Sequence, residues 1–223
     1  MTEAGIILLA YLIGSIPMAY LVGRRARSLD IRRYGSGNAG ASNIWVHVGK
    51  RVAILLGVFD VFVKGAFPVF LAERIGAGPW IVVMAGLATM VGHNWSTYLR
   101  FTGGRGVTVA LGVLLVLAWK ELAALVAVGL VGWLIFRSSA LWVGIAIALT
   151  PVWSIILGEP LHITVLCTAI VVVLAAKRLL PNNFSAHEGD LRKVLIHRLL
   201  YDRDISSRDE WVYRTPTETR GDG

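Results

Sequence analysis

The sequence predicts an all-α fold: a polytopic membrane helix bundle of about seven transmembrane helices, N-terminus outside and C-terminus cytoplasmic. Three observations predict it. Hydrophobic residues make up 56% of the 223 and charged residues only 16%, against about a quarter charged in a soluble domain. Apolar runs recur along the whole chain with only short polar breaks, and mean hydropathy is +0.66. Lysine and arginine gather in alternate breaks, the pattern that orients helices in a bilayer.

The first run, 5–22, follows Glu3 and precedes Arg24, Arg25 and Arg27. A cleaved secretory signal has the opposite charge order and a small-residue cleavage site, so this run reads as a retained first helix. The later runs are 52–72, 79–99, 107–119, 122–136, 141–157 and 163–176. About 20 helical residues are needed to cross about 30 Å of hydrocarbon, and several runs are shorter. Either their helices extend through flanking polar residues, or the fourth is partly re-entrant.

With seven spans, segments 23–51, 100–106, 137–140 and the tail from 177 lie on the cytoplasmic side. They carry 19 of the 22 lysines and arginines; Arg74 and Lys120 fall outside and Lys64 within a span. Topology therefore accounts for the net charge of +8 without a nucleic-acid partner. The chain divides into a transmembrane domain, 1–180, and a polar cytoplasmic tail, 181–223. The tail contains an amphipathic stretch, 191–200, suited to the membrane surface, and its last ten or so residues read as disordered. Cys167 is the single cysteine, so there is no intrachain disulfide. Neither a metal-ligand cluster nor a Gly-x-Ser-x-Gly elbow occurs.

Two glycine-rich loops carry the candidate chemistry. The first, Gly35-Ser36-Gly37-Asn38-Ala39-Gly40-Ala41-Ser42-Asn43, precedes the second span. Its glycines permit positive φ, and successive amides form an anion-binding nest. Ser36, Asn38, Ser42 and Asn43 add donors, with Arg32 and Arg33 just upstream. The other, Gly103-Gly104-Arg105-Gly106, precedes the fourth span, and Arg105 offers a bidentate fork to phosphate. Both open helices that start from the cytoplasmic side, whose N-terminal dipole ends favour anions. A site gripping one or two phosphates at the inner membrane surface follows.

His93 lies near the cytoplasmic end of the third span, as a proton shuttle or a structural hydrogen-bonder. Asp60 and Lys64 share a helix face at i, i+4, as a functional intramembrane pair or a lock between helices. His197 and Asp202 match a His-x4-Asp pattern found in another class of glycerolipid acyltransferases; no companion motif surrounds it, and it reads as accidental.

The chain resembles the bacterial acyl-phosphate-dependent glycerol-3-phosphate acyltransferases, the PlsY family. The resemblance rests on Gly14-Ser15-Ile16-Pro17, Tyr20-Leu21-Val22-Gly23-Arg24, Asp30-Ile31-Arg32, the first glycine-rich loop, Asp60 with Lys64-Gly65, Gly92-His93-Asn94-Trp95, and Gly103-Gly104-Arg105-Gly106-Val107. It implies a bacterial inner-membrane enzyme of phospholipid synthesis with a cytoplasmic site. A fatty acyl phosphate would be attacked by the position-1 hydroxyl of glycerol 3-phosphate, giving lysophosphatidic acid and phosphate. A substrate phosphate would assist the deprotonation, with no cofactor or metal.

By resemblance, Ser36, His93 and Arg105 would be catalytic. Gly35, Ser36, Gly37, Asn38, Gly40, Ser42, Asn43, Gly103, Gly104, Arg105 and Gly106 would bind substrate. Three places depart from the family pattern. Val46 stands where the first loop ends in arginine, and Arg105 where the second has lysine. The His, Asn and Glu of a third motif are not found in 175–181, which keeps only Lys177-Arg178-Leu179. His47 or Lys50 is the candidate to compensate for the first, and His187, Glu188 or His197 for the third. The rival readings are a diverged paralogue with another donor or acceptor, and a catalytically silent membrane scaffold.

Overall fold

The computed structural model describes residues 2–182, 191–205 and 207–215, all helix and connection with a single isolated bridge between Ser96 and Thr102. His187, Glu188 and residues 216–223 lie outside that set. The elements are α1 (Glu3–Ser15), α2 (Met18–Arg27), α3 (Ala41–His47), α4 (Lys50–Arg74), α5 (Pro79–Asn94), α6 (Val107–Leu117), α7 (Trp119–Phe136), α8 (Ser139–Ile156), α9 (Leu161–Leu179), α10 (Leu191–Tyr201) and α11 (Arg208–Val212).

Five stretches among the described residues are long and apolar enough to cross a membrane: Glu3–Arg27, α4, α7, α8 and α9. The two remaining runs of the sequence form α5, of 16 residues, and α6, of 11. The first run is broken at Ile16-Pro17, because proline lacks an N–H and pushes the preceding residue out of helical geometry. Ile16 has ψ of 118° there. The run 79–99 ends its helix at Asn94, and α6 gives way to α7 at Ala118 with no polar loop between them.

Prolines inside the spans leave carbonyls without their helical donor, and side chains replace it, as a water-poor environment demands. Pro68 removes the N–H that would reach the Lys64 carbonyl; Thr89 Oγ1 on α5 donates to that oxygen at 2.6 Å. The backbone of α4 widens into a π-turn at Asp60–Ala66 just before this point. Pro151 likewise frees the Ile147 carbonyl, which accepts from Thr150 Oγ1 at 2.7 Å.

Without a strong hydrophobic drive between helices in lipid, small residues let backbones approach. A Cβ on Gly14 of α1 would land on the Thr89 backbone, and one on Gly92 of α5 on the Tyr11 carbonyl. The core formed around these contacts includes Val69, Val83, Met90, Val109, Val113, Leu166 and Ile170, joining α4, α5, α6 and α9. A second cluster, with Ile31, Ile44, Leu56 and Leu99, supports the first loop. Outward-facing residues such as Leu55, Ile135 and Ile155 stay more than half exposed, a surface suited to lipid.

Candidate functional site

The first loop turns at Gly35 and Gly37, both with positive φ (50° and 69°). Asn43, buried at the start of α3, fixes its shape: its amide reaches the carbonyls of Ile31, Tyr34 and Asn38 at 2.9, 2.8 and 3.2 Å. Ser36 Oγ accepts from the Asn38 amide at 3.3 Å. Arg32 beside the loop is gripped by Asp30, with Nε to Oδ1 at 3.0 Å and Nη2 to Oδ2 at 2.7 Å. That bidentate contact holds the Asp30 carboxyl below, and the Arg32 guanidinium above, their ordinary values.

A tight turn after α5 carries the chain back onto the helix end it has just left. The Ser96 and Thr102 backbones pair, and the Gly104 amide donates to the His93 carbonyl at 3.0 Å. A Cβ on Gly104 would strike the His93 ring, and one on Gly106 the Asn94 side chain. His93 itself faces into the bundle. Its Nδ1 lies 3.3 Å from Lys64 Nζ, and Lys64 pairs with Asp60 at 3.1 Å on the π-turn of α4. Thr108 Oγ1 donates to Asp60 Oδ2 at 3.4 Å, which ties this buried cluster to the start of α6.

The two glycine loops meet. The Ala39 amide donates to the Gly103 carbonyl at 3.1 Å, and one side chain clasps both. Asn182 Nδ2 donates to the carbonyls of Gly37 (2.9 Å) and Gly103 (2.8 Å), while its Oδ1 accepts from the Gly103 amide at 3.1 Å and from Lys177 Nζ at 2.8 Å. The buried Lys177 ammonium also lies 5.2 Å from the centroid of the Trp95 ring. Asn182 stands one residue beyond the 175–181 stretch in which the third motif's asparagine is not found.

Beside this junction lies a polar cavity of about 230 Å³. Among the described residues, Arg32, Arg33, Arg105, Arg178, Arg198, Arg203 and Arg214 line it with Gly35, Ser36 and Gly37, against the carboxylate of Asp204. Next to it an apolar groove of about 270 Å³ runs between α8, α9 and the end of α10, lined by Leu141, Ile145, Val171, Leu174 and Leu199. Arg105 and Arg178 belong to both. Burial, reinforced by Arg178 and Arg198, pushes the Arg105 guanidinium down to about 9. It stays charged at neutral pH. Among the described residues it pairs with the Asp202 carboxylate, which lies 3.8 Å from Arg178 Nε as well, while Asp204 acts on it from farther off.

Of the candidate residues, Gly35, Ser36, Gly37 and Arg105 line the cavity. Asn38 and Gly103 meet at Asn182, Asn43 braces the first loop from within, and Gly104 and Gly106 lie against His93 and Asn94. Gly40 and Ser42 sit at the start of α3, Gly40 in open space and Ser42 exposed. His93 backs Gly104 and lines neither space. Lys50 stacks over Trp45 at 5.7 Å, and His47 Nε2 donates to the Val212 carbonyl at 3.1 Å. Neither of these two joins the cavity lining, so the compensation expected of them is not in place. His197 packs against the Tyr201 ring, whereas Asp202 turns to Arg105, so the His-x4-Asp pair does not act as a unit.

Chemically, the arrangement offers fixed cations and loop amides to a small phosphate-bearing molecule, and an apolar trough to a chain attached beside it. The model of the family described as glycerol-3-phosphate acyltransferase matches residues 4–183. Glycerol-3-phosphate acyltransferase 5 of Dehalococcoides mccartyi is 40% identical over 212 residues, 92% of this chain and 90% of that one. The enzyme of the same description from Gloeobacter violaceus is 41% identical over 164 residues, 72% of this chain and 80% of its own. Among solved structures, the glycerol 3-phosphate form of PlsY, an integral membrane glycerol 3-phosphate acyltransferase, is similar with a TM-score of 0.73 and 27% identity, over 83% of this chain and 97% of that one. Its lysophosphatidic acid form gives 0.72 and 26%, over 88% and 93%.

Proposed function

The chain belongs to the glycerol-3-phosphate acyltransferase family, and we propose that it transfers a fatty acyl group from acyl phosphate to the position-1 hydroxyl of glycerol 3-phosphate. The products are lysophosphatidic acid and inorganic phosphate. The reaction takes place at the cytoplasmic face of a bacterial inner membrane, in a multi-pass protein with its N-terminus outside. Residues beyond about 180 form an appended cytoplasmic tail. The observation that carries the reading is the junction of an arginine-lined cavity with an apolar groove through the shared Arg105 and Arg178.

An acyl phosphate joins an apolar chain to a phosphate through the carbonyl that reacts. With its chain along the groove, its phosphate reaches Arg105 and Arg178 at the shared wall. Glycerol 3-phosphate, with no apolar part, occupies the polar cavity beside Ser36 and the loop amides. The hydroxyl oxygen attacks the acyl carbon, the bond from that carbon to the phosphate oxygen breaks, and the hydroxyl proton passes to phosphate. Acyl phosphate is already activated, so positioning and stabilisation of developing negative charge supply the acceleration. Arg105 meets that charge with a planar fork. Ser36 orients the acceptor, and His93 acts as a positioning residue that holds Gly104 from behind.

The cytoplasmic assignment rests on the distribution of lysine and arginine and on both loops lying on the same side of the bundle. The test uses purified full-length protein in detergent, supplied with palmitoyl phosphate and glycerol 3-phosphate. Phosphate release that requires glycerol 3-phosphate supports the proposal. Turnover only with acyl coenzyme A, or only with another acceptor, replaces it with the diverged-paralogue reading; binding without turnover replaces it with the scaffold.

A further inference from the structure

The family match ends at residue 183, but the polar cavity does not. Arg198, Arg203, Asp204, Trp211, Arg214 and Thr215 form its far wall. This segment is seated by backbone contacts on the first glycine loop: the Gly35 amide donates to the Arg214 carbonyl at 2.8 Å, and His47 Nε2 to the Val212 carbonyl at 3.1 Å. A tail that merely lay on a membrane surface would have no reason to hydrogen-bond the loop that carries Ser36.

We propose that Arg203 and Arg214 are binding residues for the phosphate of glycerol 3-phosphate, supplied by the segment beyond the family domain. The proposal rests on the function given above. Arg105 and Arg178 border both spaces and so serve the head of the chain-bearing donor. Arg203 and Arg214 border only the polar one, where the water-soluble acceptor sits. Arg203 Nε is buried and has no hydrogen-bond partner among the described residues; its guanidinium rests against the Tyr201 ring at 5.2 Å. Arg214 is held by Asp204, at 3.3 Å to Oδ1 and 3.4 Å to Oδ2, which pre-orients its fork. Two planar guanidiniums fixed in this way match the tetrahedral oxygens of a phosphate monoester.

The test compares wild-type full-length protein with Arg203→Ala/Arg214→Ala and Arg203→Lys/Arg214→Lys double variants. The alanine pair should raise KM for glycerol 3-phosphate roughly 30-fold or more, leave KM for acyl phosphate near wild type, and be partly rescued by the lysine pair. An unchanged KM for glycerol 3-phosphate, or an equal rise for both substrates, overturns the proposal. Should the alanine pair unfold, the glutamine pair, which keeps most of each side chain's length, carries the same comparison. If wild type transfers no acyl group to glycerol 3-phosphate, the functional reading fails by itself, and inorganic phosphate still tests the arginines. A thermal midpoint raised by phosphate in wild type but not in the alanine pair supports them as phosphate ligands; an equal rise in both rules them out.

Discussion

The two glycine loops are similar in composition and share the Asn182 clasp, but their other supports differ. The first is braced from within: Asn43 reaches three carbonyls no more than 12 residues away, and Ser36 closes the turn on Asn38. The second has no such internal brace. The His93 carbonyl and Asn182 hold it, with the Asn94 side chain packed close to Gly106, and Asn182 is 79 residues distant. The first loop is therefore a local motif set against the bundle. The second is a product of the bundle, and its shape is only as good as the helix ends that meet there.

The sharpest break to this contrast comes from the residue that projects from the second loop. Arg105→Ala should lower kcat/KM by about 10²–10³, read by phosphate release, whereas Ser36→Ala in the first loop should cost less. Equal losses would mean that both loops carry the reacting charge alike.

Next comes a matched pair of small changes. Gly104→Ala places a methyl against the buried His93 ring and should destabilise by about 1–3 kcal/mol, with loss of most activity. Gly40→Ala points into open space at negative φ and should stay within about 0.5 kcal/mol. Thermal unfolding in one detergent reads both.

Removing the clasps distinguishes their reach. Asn182→Ala and Asn43→Ala each strip buried carbonyls of a donor, about 1–3 kcal/mol. The Asn182 change should raise the KM of both substrates, because it frees both loops, while the Asn43 change should act chiefly on glycerol 3-phosphate. Identical kinetic signatures would mean that both asparagines support the two loops alike.

The smallest effect concerns pH. Burial lowers the pKa of His47 below its ordinary 6.5, so between the lowered value and 6.5 the unfolded chain binds more protons than the folded one. Stability then rises with pH through that window and is lost as pH falls through it. His47→Gln should show a shallower drop in thermal midpoint from pH 7 to pH 5 than wild type, and an equal drop would remove His47 from the account.

Much of this architecture was legible in the sequence because it is written in local pattern. The apolar runs, the basic breaks, the glycine-rich loops and the Asp60–Lys64 pair each occupy a short window of sequence. What escaped depends on distant partners. Asn182 looks like an ordinary residue after a helix-ending proline until its amide is seen between Gly37 and Gly103. Arg203 and Arg214 read as topogenic charge, and Asp202 as half of a chance pattern, because nothing nearby marks the tail as folding back. Ser42 reads in the sequence as one more donor of the glycine-rich string, and the first turn of α3 leaves it exposed. The π-turn and the break at Ile16-Pro17 had a visible proline cue, but the donors that compensate for such prolines lie on other residues.

The position of Asn182 also bears on how the protein is made. Gly37 and Gly103 leave the ribosome long before the residue that joins them, and Asn182 follows the final span. While the chain is still being threaded into the bilayer, the two loops lack the Asn182 clasp, and the helices that frame the apolar groove are not yet complete. A half-synthesised or truncated copy lodged in the membrane therefore carries glycines and arginines but no finished site, and competence arrives only when the last helix is in place.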